Sequence, residues 1–164
     1  MAKLVGKNKK VLDVGSGTGI LSKFLDQSCK YTGIEQNFRI AKKRNLNIIY
    51  GNIFDIDFPK ADVVVISDVL HHVIPNHEKL IKKSLKSAPV LVICEPNHEE
   101  GFLNIFGKSK LFFKIFGDDD GINKFEDMQT WVYSKEDLKN LFDKYGNTEI
   151  YEVGNSSIAK IVRR

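Results

Sequence analysis

The feature that most constrains this chain is the run Val11-Leu12-Asp13-Val14-Gly15-Ser16-Gly17-Thr18-Gly19, a short strand-like stretch passing directly into alternating glycines. Glycine at every second position lets the backbone turn sharply and lets a ligand approach the main chain closely. Behind the loop, Ile20, Leu21, Phe24 and Leu25 recur at helical spacing. A strand, a glycine loop and a helix in that order predict the opening βα unit of a parallel sheet.

The rest of the sequence continues the alternation. Strands are expected at 31–35, 47–50, 61–67 and 90–94, and helices at 38–44 and 77–86, the second stopped by Pro89. Val63-Val64-Val65-Ile66 is a continuous β-branched run, the signature of a central strand covered on both faces. Leu80, Ile81 and Leu85 form the inward stripe of the 77–86 helix. Ser134 and Asp137 make a capping box ahead of Leu138, Leu141 and Phe142, with Gly146 as the expected stop. Residues 149–153 and 158–162, around Gly154-Asn155-Ser156-Ser157, predict a closing antiparallel hairpin. With no internal repeat, 1–164 reads as a single α/β domain large enough to bury a core.

Composition removes several classes. No apolar run reaches the roughly 18 residues that span a bilayer, and the first ten residues are too short and polar for a signal peptide. Cys29 and Cys94 are too far apart for a CxxC site and too few for a disulfide framework, which fits a cytoplasmic location. Four histidines, at 71, 72, 77 and 98, lack metal-ligand spacing, so no metal is expected. His77 and His98 are expected at the surface. The net charge of +4 comes from 21 Lys and only 4 Arg. Arginine is the better fork for phosphates and base edges, so a nucleic-acid partner is disfavoured.

Glu35 ends the second predicted strand 18 residues beyond Gly17, where a carboxylate can accept both hydroxyls of an adenosine ribose. A dinucleotide fingerprint would want glycine or alanine at position 20, and Ile20 stands there.

Together with Gly33-Ile34-Glu35, the block Gly51-Asn52-Ile53-Phe54-Asp55-Ile56-Asp57-Phe58-Pro59, Asp68-Val69-Leu70-His71-His72-Val73 and Cys94-Glu95-Pro96-Asn97, the glycine run resembles the class I S-adenosylmethionine-dependent methyltransferases. The likeness is to their small-molecule, ubiquinone/menaquinone-type branch, close over 10–97 and looser over 134–164. It implies a Rossmann-like fold with a seven-stranded, mostly parallel sheet of order 3-2-1-4-5-7-6, strand 7 antiparallel, and helices on both faces. It implies S-adenosyl-L-methionine as cofactor and S-adenosyl-L-homocysteine (SAH) as product. Gly15, Ser16, Gly17 and Gly19 would cradle the methionine moiety, and Asp13 would orient its ammonium. Glu35 would hold the ribose, with Gln36 beside the adenine. Asn52, where aspartate is more usual, would accept the adenine amine, and Ile53 would pack on the adenine face. Asp68 and Leu70 would line the methionine end.

Methyl transfer from a sulfonium is a direct displacement that needs a general base only when the nucleophile arrives protonated. His71 or His72 is the candidate base, against the alternative that one packs locally and the other is solvated. Residues 98–133 hold six of the eleven Phe and carry seven acids against four lysines, which counts against an RNA phosphate contact. The segment fits a substrate lid with an apolar wall, or a helix covering the sheet edge; 102–116 also has the make-up of an interfacial helix. Only about nine residues precede strand one, so either an open pocket is expected or cover for the cofactor from a second copy or another chain. The expected activity is methyl transfer to a small, partly apolar acceptor. The alternatives are an RNA or protein methyltransferase, with Arg39, Lys42, Lys43 and Arg44 as its basic face, and a non-catalytic cofactor-binding subunit.

Overall fold

The computed structural model describes residues 1–41, 46–97 and 131–164. The strands are β1 (Lys10–Val14), β2 (Lys30–Glu35), β3 (Ile48–Tyr50), β4 (Val63–Ser67), β5 (Val90–Pro96), β6 (Gly146–Val153) and β7 (Ser156–Arg163). They form one sheet in the order β3-β2-β1-β4-β5-β7-β6. The first five are parallel, and β7 runs antiparallel to both β5 and β6. This is the expected Rossmann-like order.

Alternation of side chains along each strand divides the core in two. Leu12, Val14, Ile34, Val64, Ile66, Leu91 and Ile93 point to one face. There they meet Leu80, Ile81 and Leu85 of α3 (His77–Ser87) and Leu138, Leu141 and Phe142 of α4 (Lys135–Asp143). Val11, Val63, Val65 and Val92 point the other way, onto Leu21, Leu25 and Val5 of the short α1 (Ala2–Val5). The 63–66 run is apolar at every position because both of its faces are buried. The capping box forms as expected: Ser134 Oγ accepts the Asp137 N–H at 3.2 Å, and Asp137 accepts the Ser134 N–H at 3.0 Å.

Three expectations change. The helix behind the glycine loop is a single 3₁₀ turn, Ile20–Lys23, and Ile20 and Phe24 lie exposed. Only ten residues separate Gly19 from β2, and Asp26 closes the end of that stretch by accepting the N–H and O–H of Ser28. Gly146 does not stop α4, which ends at Asp143 with Lys144 as a right-handed cap. Instead it opens β6, where a Cβ would lie 2.3 Å from the Val162 carbonyl oxygen. His77 is buried rather than at the surface, because it stands at the α3 N-terminus under Trp131 and Tyr133. The helix expected at 38–44 is seen as α2 (Phe38–Ala41); 42–45, with Lys42, Lys43 and Arg44, lie outside the described residues. So do His98 and nearly all of the 98–133 segment.

Candidate active site

Parallel strands all present their carboxyl ends to one edge, and in open α/β sheets ligands bind there. The carboxyl ends of β1, β2, β3 and β4 and the loops that follow them carry Asp13 to Gly19, Glu35 and Gln36, Asn52 and Ile53, and Asp68 to His72. The topology thus gathers onto a single edge the residues that the resemblance assigned to the cofactor.

The glycine loop is built as its composition demands. Gly15, Gly17 and Gly19 have φ of 70°, 53° and 69°, values that L side chains rarely adopt. The N–H groups of Gly15 and Ser16 both donate to the Ile34 carbonyl at 2.9 Å, which ties the loop to the end of β2. Gly33 makes that approach feasible, since a Cβ there would come within 2.6 Å of Ser16 Oγ. Ser16 Oγ is buried without a hydrogen-bond partner in the protein, a polar group left for a ligand to satisfy.

Two carboxylates flank this loop. Glu35, 5 % exposed, accepts the Gly17 N–H on Oε2 at 2.8 Å and the Asn37 N–H on Oε1 at 2.7 Å. A carboxylate has about four lone-pair positions, so each oxygen retains one for a hydroxyl. Asp13, 4 % exposed, accepts the Tyr31 hydroxyl on Oδ2 at 2.7 Å. Burial, the dominant cause, and the nearby Glu35 charge push its carboxyl up to about 6, against the Tyr31 hydrogen bond. The donor set therefore suits hydroxyls and a cation. It does not suit a pyrophosphate: Gly17 spends its N–H on Glu35, Gly19 donates its own to Ser16, and two acids line the approach.

The other nominated residues sit as follows. Gln36 is exposed beside Glu35. Asn52 is exposed, and its Oδ1 accepts the Phe54 N–H at 2.8 Å, leaving the amide NH₂ and one lone pair. Ile53 is half-buried against the core. Asp68 is exposed and adopts φ 55°, a left-handed strain unusual for a residue with a side chain. Leu70 is fully buried, so its side chain supports the edge from within the core and offers no contact surface.

His71 and Glu95 form a feature that the sequence indicated only in part. Glu95, wholly buried, receives the N–H groups of Val69 and Leu70 on Oε1 at 2.9 and 2.8 Å. Its Oε2 lies 2.7 Å from His71 Nδ1. A strand-five carboxylate therefore clamps the loop after β4. His72 stacks on His71 at 3.9 Å between ring centroids, and Trp131 meets His71 edge-on. The sequence marked Glu95 only as part of the Cys94-Glu95-Pro96-Asn97 block and gave Tyr31 no role. The parallel register that sets Asp13 against Gly33, and so Tyr31 on the same face, is the signal that could have found the latter. Among the described residues no cluster of His, Cys, Asp and Glu could hold a metal ion.

Comparison with known proteins agrees with this geometry. A methyltransferase-domain family model matches residues 1–151. An uncharacterized methyltransferase of Staphylococcus carnosus (strain TM300) is 30% identical over 148 residues, covering 84% of this chain and 69% of its own. Among solved structures, magnesium protoporphyrin IX methyltransferase from Synechocystis PCC 6803, with bound SAH, is similar at TM-score 0.66 and 16% identity, over 96% of this chain and 75% of its own. A protein of Pyrococcus horikoshii OT3 is similar at TM-score 0.67 and 18% identity, over 99% and 85%. The chain belongs to the class I S-adenosylmethionine-dependent methyltransferases. S-adenosylmethionine is the methyl donor of that family.

Proposed function

We propose that this protein transfers a methyl group from S-adenosylmethionine to a small, partly apolar acceptor. The observation that carries the reading is the pair of carboxylates at a glycine loop whose Gly15, Ser16, Gly17 and Gly19 N–H groups are already spent. When bound, the cofactor supplies a sulfonium-activated methyl group. Gly15, Ser16, Gly17 and Gly19 lie against its methionine part, and Asp13 attracts the ammonium. Glu35 takes the ribose hydroxyls on its remaining lone pairs. Gln36 and Asn52 meet the adenine edge, with Ile53 as the apolar wall. Asp68, exposed at the end of β4, faces the methionine end.

The acceptor enters between the ends of β4 and β5. Pro96, the last residue of β5, lies on that same edge. His71 acts here by anchoring the β4 loop, because Glu95 holds its Nδ1. Catalysis then rests on alignment and exclusion of water, with a base needed only for a protonated nucleophile.

Titration calorimetry should show micromolar binding of SAH and negligible binding of NAD; a preference for NAD would defeat the reading. Glu35→Ala should lose at least tenfold in SAH affinity, since each charge-assisted hydrogen bond is worth about 1.5–3 kcal/mol before solvent compensation. The melting temperature is the control for folding. Labelled methyl transfer to a panel of small hydroxy- and amino-acceptors, with RNA alongside, then tests the acceptor class.

A further inference from the structure

Tyr31 stands outside every role assigned above, yet its hydroxyl lies at the centre of the site. The register Val11↔Tyr31 and Asp13↔Gly33 puts Tyr31 and Asp13 on the same face of adjacent strands. The phenol hydroxyl ends 2.7 Å from Asp13 Oδ2. It also lies beneath the end of the glycine loop, where a Cβ on Gly19 would be 3.3 Å from it. Around Asp13, β2 brings Tyr31 and Glu35, β4 sets Val65 in register, and the loop from Gly15 to Gly19 carries no charge. The titratable neighbours of this buried carboxyl are thus a phenol that donates a hydrogen bond and a carboxylate that repels.

We propose that Tyr31 is a positioning residue for the ligand's ammonium, holding the Asp13 carboxylate in place, and that the arriving ammonium displaces a proton from Asp13 to solvent. The inference rests on the cofactor reading above. A buried acid with no cation beside it holds its proton to higher pH than an exposed one, and a cation that compensates the charge releases that proton. Binding therefore exchanges one positive charge for another: the Asp13 O–H bond breaks, its proton leaves to buffer, and an ion pair forms. The raised carboxyl, near 6 in the ligand-free protein, sets where that exchange shows.

The test is SAH titration calorimetry on the full chain in two buffers of different ionisation heat, which counts protons released. Wild type should release about 0.8 proton at pH 5.5 and almost none at pH 7.5, and its affinity should fall about tenfold from pH 7.5 to pH 5. Tyr31→Phe removes the bond that favours ionised Asp13, so the fall-off should move to higher pH. Asp13→Asn should bind weakly and release none. SAH binding by wild type with constant affinity and no proton release overturns the inference while leaving the cofactor reading intact. No SAH binding at pH 7.5 overturns both. A Tyr31→Phe variant with weaker affinity but an unmoved pH midpoint removes Tyr31 from the positioning role.

Discussion

A carboxylate sealed between β1 and β2 stands against the stability of the fold. Asp13 binds a proton more tightly in the folded protein, near 6, than in the unfolded chain, near 3.8. Stability therefore falls as pH rises through that window, and above it the deficit approaches about 3 kcal/mol. Asp13→Asn, which keeps an acceptor for Tyr31, should raise the melting temperature at pH 7.5 by several degrees while weakening SAH binding. The gain should shrink toward zero below about pH 3, where wild-type Asp13 is neutral in both states. Scanning calorimetry at the two pH values decides it, and equal shifts at both would refute the assignment. At this scale the sequence was informative where a residue's placement depends on the end of a strand: the glycines, Asp13 and Glu35 stand at the carboxyl edge of the sheet. It was silent where a role depends on a neighbour across the sheet. Tyr31 meets Asp13 only through strand register, and Leu70 looks like a pocket residue until its burial is seen.

Secondary elements contribute by holding loops still, and β5 does so through one side chain. Glu95 accepts two backbone N–H groups and a histidine nitrogen from the loop after β4, all buried. Glu95→Ala would leave three polar groups without an acceptor in an apolar setting. The expected loss is about 3–5 kcal/mol, read as a lower urea midpoint at an unchanged slope. A loss below 1 kcal/mol would mean that water replaces the carboxylate. Strands and long helices were legible because a continuous β-branched run or a 3.6-residue apolar period survives in the sequence, as in 63–66 and in Leu138, Leu141 and Phe142. The turn after Gly19 was misread because Ile20, Leu21, Phe24 and Leu25 have the period but not the length: only Leu21 and Leu25 reach the core. Gly146 carried the usual sign of a helix end, yet it serves a close backbone contact in β6.

Across the whole molecule, ligand affinity and thermal stability are linked, since a ligand that binds only the folded chain stabilises it. SAH at a hundredfold excess over its Kd should add about 2.7 kcal/mol. For a chain of this length that is a rise of about 5–10 °C in melting temperature, which NAD at the same concentration should not produce. The sheet order followed from the family resemblance and is found in full; the acceptor does not follow from it, because one frame serves many chemistries. One feature of the frame bears on how such variety arises. The Trp131 indole N–H donates to the Pro96 carbonyl at 2.8 Å, so the chain that leaves β5 and the chain that returns toward α4 are fastened to each other at the rim. Asn97 is fixed on its other side, its N–H to the Asn155 carbonyl and its Oδ1 to the Ser157 hydroxyl. Pro96 and Trp131 are thus held together at one point on the rim, and doubling the number of residues between two points so fixed costs only about 0.6 kcal/mol. Chain length at that point can therefore change without disturbing the sheet that carries the glycine loop.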